Sequence, residues 1–321
     1  MHDLGERRHD SDLQCQGRPP RQEPAEQKVR REAGKVYPHE LEHHLRQHPA
    51  EWYAARPNWP SQNKLTGTDA IRYLATHDNS FIRYFEGHEG AVTNLALHPG
   101  ADNFISCSVD NTVRVWNIGT RQWTGKLYLN TPYLSAWDPS GNVFAVASPS
   151  SGSILLYDYR NYEKAPFAVF DVVKVRGQAD PEAAFRGWTK LEFSNDGKHL
   201  LLGSRGDGHF LIDAFDGSLK AYLKKPGPGT RRLAVGETDG GNAESSGECC
   251  FAPDGRYVLS GAKTDLVVWD TLMTPGSDKV LEPAHVLEEK RETAVVAYNP
   301  RYNMIATADQ DLTFWLPDPN A

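Results

Sequence analysis

The sequence is short of cysteine, of long apolar runs and, beyond its first 64 residues, of positive charge. Its four cysteines include no CxxC pair, which argues against a disulfide framework and against a zinc module, and points to a reducing compartment, cytoplasm or nucleus. No apolar run approaches the roughly 18 residues that span a bilayer, and no secretory leader is visible, so no membrane partner is expected. The formal net charge is -7 over 321 residues. Residues 1–64 hold 11 Lys and Arg against 10 Asp and Glu, which leaves 24 against 32 for the remainder. A body that acidic lacks the basic footprint of a protein built to grip phosphates, so direct nucleic-acid binding is not expected either. With 39% hydrophobic and 10% aromatic residues, the chain nevertheless has material for a substantial core.

Residues 1–62 differ from everything after them. They are rich in charge, Pro and Gln, and hold six of the twelve histidines. Only 36–45 has a helix-compatible pattern, and Pro38 and Pro49 confine it to about two or three turns. The expected division is a disordered or non-native amino-terminal segment over 1–65 and one folded body over 66–321. From Asp69 onward short β-rich runs alternate with turn signals. Two stretches rich in Gly and charge, 172–187 and 224–247, are expected to be loops inserted between strands.

Five segments align: LALHPGADNFISCSVDNTVRVWN, SAWDPSGNVFAVASPSSGSILLYD, LEFSNDGKHLLLGSRGDGHFLID, CCFAPDGRYVLSGAKTDLVVWD and AYNPRYNMIATADQDLTFWL. Each reads as an apolar strand, a turn, a second apolar strand, a small-residue turn and a third strand that ends on a large side chain. The endings Asn117, Asp158, Asp213, Asp270 and Leu316 lie 41, 55, 57 and 46 residues apart, and the two wide spacings contain the two inserted stretches. The underlying period is that of a four-stranded propeller blade, about 40–45 residues. DAIRYLATHD supplies an earlier third strand, and FIRYF, PFAVF and LKAYL read as fourth strands. The fold class is therefore all-β, a WD40 β-propeller with about five and a half blades visible.

The first complete unit carries Gly87-His88, Ser106, Asp110 and Trp116 at the spacing of a structural relay. The indole N–H of Trp116 is expected to donate to Ser106, the Ser106 hydroxyl to His88, and the other ring nitrogen of His88 to reach Asp110. Such a chain ties the blade's outer loop to its inner turn through satisfied buried groups. Ser, His and Asp together suggest a hydrolase, but a hydroxyl held inside a blade cannot act as a nucleophile. In the other units Tyr157, Ile212, Trp269 and Trp315 stand where Trp116 does without the histidine, so those blades are expected to hold by apolar packing alone.

With these blocks in view, IRYLATHDNSFIRYFEGHEG, PFAVF, WTKLEFSNDGKHLLLGSRGDGHFLIDAFDG and the FWLP ending resemble one family of WD-repeat proteins. It comprises the adaptor subunits shared by the COMPASS histone lysine methyltransferase complex and the cleavage-and-polyadenylation factor. The resemblance spans 69–317. It implies a seven-bladed ring, a nuclear setting and a non-catalytic scaffold without cofactor or metal. The implied partners are protein subunits of the methyltransferase and polyadenylation complexes and the phosphorylated RNA polymerase II tail. The sequence departs from the family at its start, where about one and a half blades are missing. Either 1–62 is foreign to the fold, as in a mis-spliced or wrongly translated start, or the ring is shorter; the first is the expectation.

Other motifs have bland explanations. His39-Glu40-Leu41-Glu42-His43 matches the HExxH zinc-protease pattern, but in a His-rich, Pro-bounded segment with nothing to hold a third ligand. Arg205-Gly206-Asp207 reads as a hairpin turn, and Cys249-Cys250 as a first strand with Cys250 the more accessible thiol. Rim loops at 86–90, 109–112, 205–208 and 263–265 place Glu89, Asn111, Arg205, Asp207, Lys263 and Asp265 as partner-binding candidates. Lys224, Lys225, Arg231 and Arg232 are expected to form a basic loop tip suited to an acidic or phosphorylated partner. A propeller enzyme would need acids, histidines or ligands converging at the channel, whereas His98, His199, His209 and His285 fall at unrelated positions in their units. A WD substrate receptor of a ubiquitin ligase, the remaining alternative, would bring a helical linker-binding domain, which 1–62 is too broken by proline to form.

Overall fold

The structure is a computed structural model. It describes residues 70–178, 187–226, 247–262, 265–288, 293–309 and 311–317, and the backbone of 43–46. Contacts divide the chain into Met1–Arg31 and Glu32–Ala321, and every described residue belongs to the second unit.

Among the described residues, six mainly antiparallel sheets follow one another along the chain. The first comprises β1 (His43–Arg46), β2 (Ile71–Leu74) and β3 (Phe81–Phe85). The second comprises β4 (Val92–Leu97), β5 (Asn103–Ser108), β6 (Thr112–Asn117) and β7 (Trp123–Tyr128). The third is β8 (Leu134–Trp137), β9 (Val143–Ser148), β10 (Ser153–Asp158) and β11 (Ala168–Asp171), followed by helix α1 (Val172–Gln178). The fourth is β12 (Trp188–Phe193), β13 (His199–Ser204), β14 (Gly208–Asp213) and β15 (Leu219–Lys224). The fifth contains β16 (Cys249–Phe251), β17 (Tyr257–Gly261) and β18 (Asp265–Asp270); then comes a short β19 (Val280–Leu281), and β20 (His285–Glu288) completes that sheet. The sixth is β21 (Val295–Tyr298), β22 (Ile305–Ala308) and β23 (Leu312–Trp315).

The local chemistry of each blade is repetitive. The first-to-second strand turn ends on a left-handed glycine in three successive units, Gly141, Gly197 and Gly255, with φ of 72°, 72° and 71°. Each glycine N–H donates to the carbonyl three residues back, at Asp138, Ser194 and Ala252. A side chain there would resist the positive φ that closes the turn. Strand alternation sends each sheet's two faces into different clusters. Val113 and Val115 pack towards Phe144 and Val146 of the third sheet, whereas Phe104 and Trp116 pack towards Ile71 and Phe85 of the first. Five such clusters separate the six sheets. The opening strands β4, β8, β12, β16 and β21 each touch the next in that order. A series of sheets packed face to face, with their first strands adjacent, is the blade arrangement of a propeller.

Two expectations need correction, and one pairing between sheets was not anticipated. The end of the 36–45 stretch is not helical: His43–Arg46 is a strand paired with β2, with His44 opposite Tyr73. Pairing to an existing edge satisfies its backbone groups, which an isolated short helix could not do as fully. The rest of 1–65 lies outside the described residues. The 172–187 stretch is not all loop, because α1 occupies its first half and buries Val172 and Val175 against the third and fourth sheets. Finally, β19 leaves the fifth blade and joins β15 in parallel, Tyr222 opposite Val280, as a fifth strand of the fourth sheet.

Candidate functional site

The polar centre of the second sheet is built from four residues on four segments. Gly87-His88 follows β3, Ser106 lies in β5, Asp110 in the β5–β6 turn, and Trp116 near the end of β6. Trp116 and Ser106 are wholly buried, and His88 nearly so. The indole N–H of Trp116 donates to Ser106 Oγ at 2.8 Å. Ser106 Oγ lies 2.6 Å from His88 Nε2, and His88 Nδ1 lies 2.9 Å from Asp110 Oδ2. With its oxygen accepting from Trp116, the hydroxyl proton of Ser106 goes to Nε2, so Nδ1 carries the ring proton and donates to Asp110. Asp110 also accepts from the Glu89 N–H at 3.0 Å and from the Thr112 N–H and hydroxyl at 3.0 and 2.6 Å.

The electrostatics follow the geometry. Burial lowers the His88 pKa from its ordinary value; hydrogen bonding to Asp110 opposes this, and nearby Arg114 and Lys126 add to it. Burial pushes the Asp110 carboxyl up, but the bonds from Thr112, Glu89 and His88 outweigh it and hold the pKa at about 2. The Ser106 hydroxyl both accepts and donates within the blade and has no solvent exposure. This constellation locks a loop to a turn and leaves no nucleophile facing a substrate.

The fifth and sixth sheets do not rest on apolar packing alone, which corrects that expectation for the Trp269 and Trp315 units. In the sixth sheet the Trp315 indole N–H donates to Thr307 Oγ1 at 2.9 Å, the counterpart of Trp116 and Ser106. In the fifth, Ser260 occupies the Ser106 position, but its partner comes from the fourth sheet: His209 Nε2 lies 2.8 Å away. The Ser204 N–H donates to His209 Nδ1 at 3.2 Å, so Nε2 carries the proton, and Ser260 passes its own to the Glu248 carbonyl at 2.7 Å. His209 is fully buried, and burial lowers its pKa well below the ordinary value. The Trp269 indole N–H has no hydrogen-bond partner among the described residues. The signal for the Trp315 contact was in the sequence, as a hydroxyl residue on the second strand of every Trp-bearing unit.

The rim candidates are partly brought together. Glu89 is exposed above Asp110, and Asn111 beside it takes a left-handed φ of 61° with Oδ1 accepting from the Thr131 N–H at 3.0 Å. Arg205 and Asp207 are exposed on the β13–β14 hairpin, the turn expected for Arg205-Gly206-Asp207. Asp265 opens β18, half-buried; Lys263, Arg231 and Arg232 lie outside the described residues. The basic tip is corrected at Lys225: this residue is 3% exposed, its N–H continues the ladder to the Asp207 carbonyl, and burial lowers its pKa to about 8. Lys224 is exposed and lines an open groove of about 600 Å³ with Gln178, Met273, Asp278, Val280 and Glu282. Cys250 is not accessible either; Cys249 and Cys250 are both buried, on opposite faces of β16, and burial pushes the Cys250 thiol up to about 12. His98, His199 and His285 remain separated, and among the described residues no group of His, Cys, Asp or Glu is placed to hold a metal. His43 is described only through the backbone of β1, and His39, Glu40 and Glu42 lie outside the described residues.

Successive four-stranded sheets with a Trp–Ser–His–Asp relay define a WD-repeat β-propeller. The sequence profile described as "WD domain, G-beta repeat" matches residues 79–117, the segment that contains the relay. Budding yeast COMPASS component SWD2 is 36% identical over 77% of this chain and 71% of its own length. WD repeat-containing protein 82 of Drosophila melanogaster is 34% identical over 78% and 70%. Fission yeast Set1 complex component swd2 is 26% identical over 77% and 74%. The chain belongs to the family of WD-repeat proteins that includes SWD2 and WD repeat-containing protein 82.

Proposed function

We propose that this chain is a non-catalytic WD-repeat adaptor subunit of a nuclear COMPASS-type histone lysine methyltransferase complex. In this reading it links the methyltransferase to transcribing RNA polymerase II, and the same propeller serves the mRNA cleavage, polyadenylation and termination machinery. The observation that carries the proposal is the 36% identity with a COMPASS component over 77% of the chain. The site geometry supports it: the Ser–His–Asp constellation around His88 is occupied in joining a loop to a turn, which leaves rigid blades and their rim loops as binding surfaces. Affinity purification of the tagged full chain from native nuclei tests it. Recovery of a SET-domain methyltransferase is expected, together with polyadenylation-factor subunits and polymerase. Recovery of a cullin-ligase linker in place of any methyltransferase would defeat the proposal.

A further inference from the structure

Arg114 sits at the third position of β6, on the face that meets the first sheet, and is only 4% exposed. A buried guanidinium is ordinarily matched by a carboxylate, because an unpaired buried charge is costly. Here no carboxylate pairs with it among the described residues, and its Nε–H has no hydrogen-bond partner. What surrounds it is a cradle. The ring of Trp123, 44% exposed, lies 5.5 Å from the guanidinium carbon. Gly87 leaves room on the other side; a Cβ there would collide with Nη1. The residue directly opposite across the β6–β7 ladder is a second cation, half-buried Lys126, whose ammonium lies 4.5 Å from the centre of the 77%-exposed Tyr128 ring. Two adjacent cations with aromatic flanks and, among the described residues, no paired carboxylate thus interrupt an otherwise acidic body, beside the Glu89 and Asn111 loops.

We propose that Arg114 and Lys126, cradled by Gly87, Trp123 and Tyr128, form a docking point for a Glu or Asp side chain on an extended segment of a partner protein. The planar fork of Arg114 suits a carboxylate received edge-on, and Lys126 adds a point charge across the ladder. The rings hold the two cations in place before the partner arrives. The inference goes beyond the adaptor reading and stands whether or not the partner belongs to a methyltransferase complex.

The test uses the full chain and a fluorescein-labelled peptide of six glutamates, with fluorescence anisotropy for affinity and the Nε–Hε nuclear magnetic resonance signal of Arg114 for location. The signal, assigned by its loss in Arg114→Lys, is expected to move on peptide addition. Lys126→Glu is expected to weaken the peptide at least ten-fold. Its melting temperature should be equal or higher, since the new carboxylate supplies a counter-charge to Arg114 from directly across the ladder. Because Lys126 is half-buried, this variant keeps the test valid if Arg114→Lys fails to fold. Unchanged affinity in Lys126→Glu would overturn the proposal, as would an Arg114 signal that sulfate alone moves equally, which would indicate an adventitious ion only. A phosphoserine peptide of the same length binding ten-fold tighter than hexaglutamate would overturn the choice of a carboxylate.

Discussion

Replacement of Trp116 separates what the relay contributes from what the ring contributes. The indole is wholly buried, stacked 5.9 Å from Phe104 at 9° and edge-on to Phe85 at 5.7 Å. Trp116→Ala removes that ring from a closed interface, at about 3–5 kcal/mol. It also removes the indole N–H that donates to Ser106, at about 1–3 kcal/mol. Together these approach the whole stability of an ordinary domain, so the alanine variant is expected to unfold and teaches little. Trp116→Phe is the informative change. It keeps most of the stacking area and deletes the N–H, for an expected loss of about 1–2 kcal/mol. Ser106→Ala then supplies the other corner of a cycle, since the same bond cannot be lost twice. The double variant should be less destabilised than the sum of the singles by about 1 kcal/mol. Urea unfolding followed by far-ultraviolet circular dichroism, with unchanged m values, gives the four free energies. Additivity to within about 0.3 kcal/mol, or a Trp116→Phe variant as stable as the wild type, would refute the reasoning that the relay holds the blade.

Acid should weaken the fold in two steps. Burial lowers the folded pKa of His88 and of His209, so their contribution is complete above the unfolded value of 6.5 and is lost as pH falls below it; Asp110, held at about 2 against 3.8, loses its contribution between about pH 4 and 2. His209→Gln should flatten the first step in pH-dependent melting, and an unchanged profile would count against it. Cys249 and Cys250 are free and buried, so mass spectrometry after brief iodoacetamide treatment at pH 8 should find both unmodified until urea unfolds the chain; rapid native labelling of Cys250 would contradict its placement. Leu312, Phe314 and Leu316 are 54%, 55% and 72% exposed at the outer strand of the sixth sheet, which has no further strand among the described residues. Sedimentation velocity should show association that rises with concentration and falls in Leu312→Lys/Phe314→Lys; equal behaviour of the two proteins would sink this expectation.

The blades were legible because each unit repeats the same local signals: a Gly turn, a two-residue alternation and a large third-strand ending. The relay was legible because its four residues stand at fixed offsets within one unit. The elements that escaped are those whose partners lie outside their own unit. Helix α1 is about two turns long and seats only Val172 and Val175 on neighbouring sheets, with too few residues for a helical period to show. Strand β19 is two residues long and pairs with a strand some sixty residues earlier. Lys225 looks like half of a solvated Lys-Lys tip, but its N–H extends the β14–β15 ladder and carries the side chain inward. His209 and Ser260 sit in different blades, so no spacing rule inside one repeat can reveal their bond.

The uneven distribution of these buried polar links bears on where a partner would bind. The second sheet buries every residue of β6 but one and is tied at both ends through Asp110 and Trp116. The sixth sheet leaves three of the four β23 residues exposed and most of β21 and β22 half-buried, with the Trp315–Thr307 bond as its internal tie. Local opening free energy tracks buried contact, so amide exchange should be slowest in β5 and β6 and fastest in β23. A loop anchored to a slow-exchanging blade binds with little further ordering, while one on a fraying blade loses affinity to the entropy it must give up. Glu89, Asn111 and the Arg114–Lys126 cradle all belong to the rigid end. The constellation that looks catalytic in the sequence therefore acts one step removed, by holding still the surface that a partner would touch.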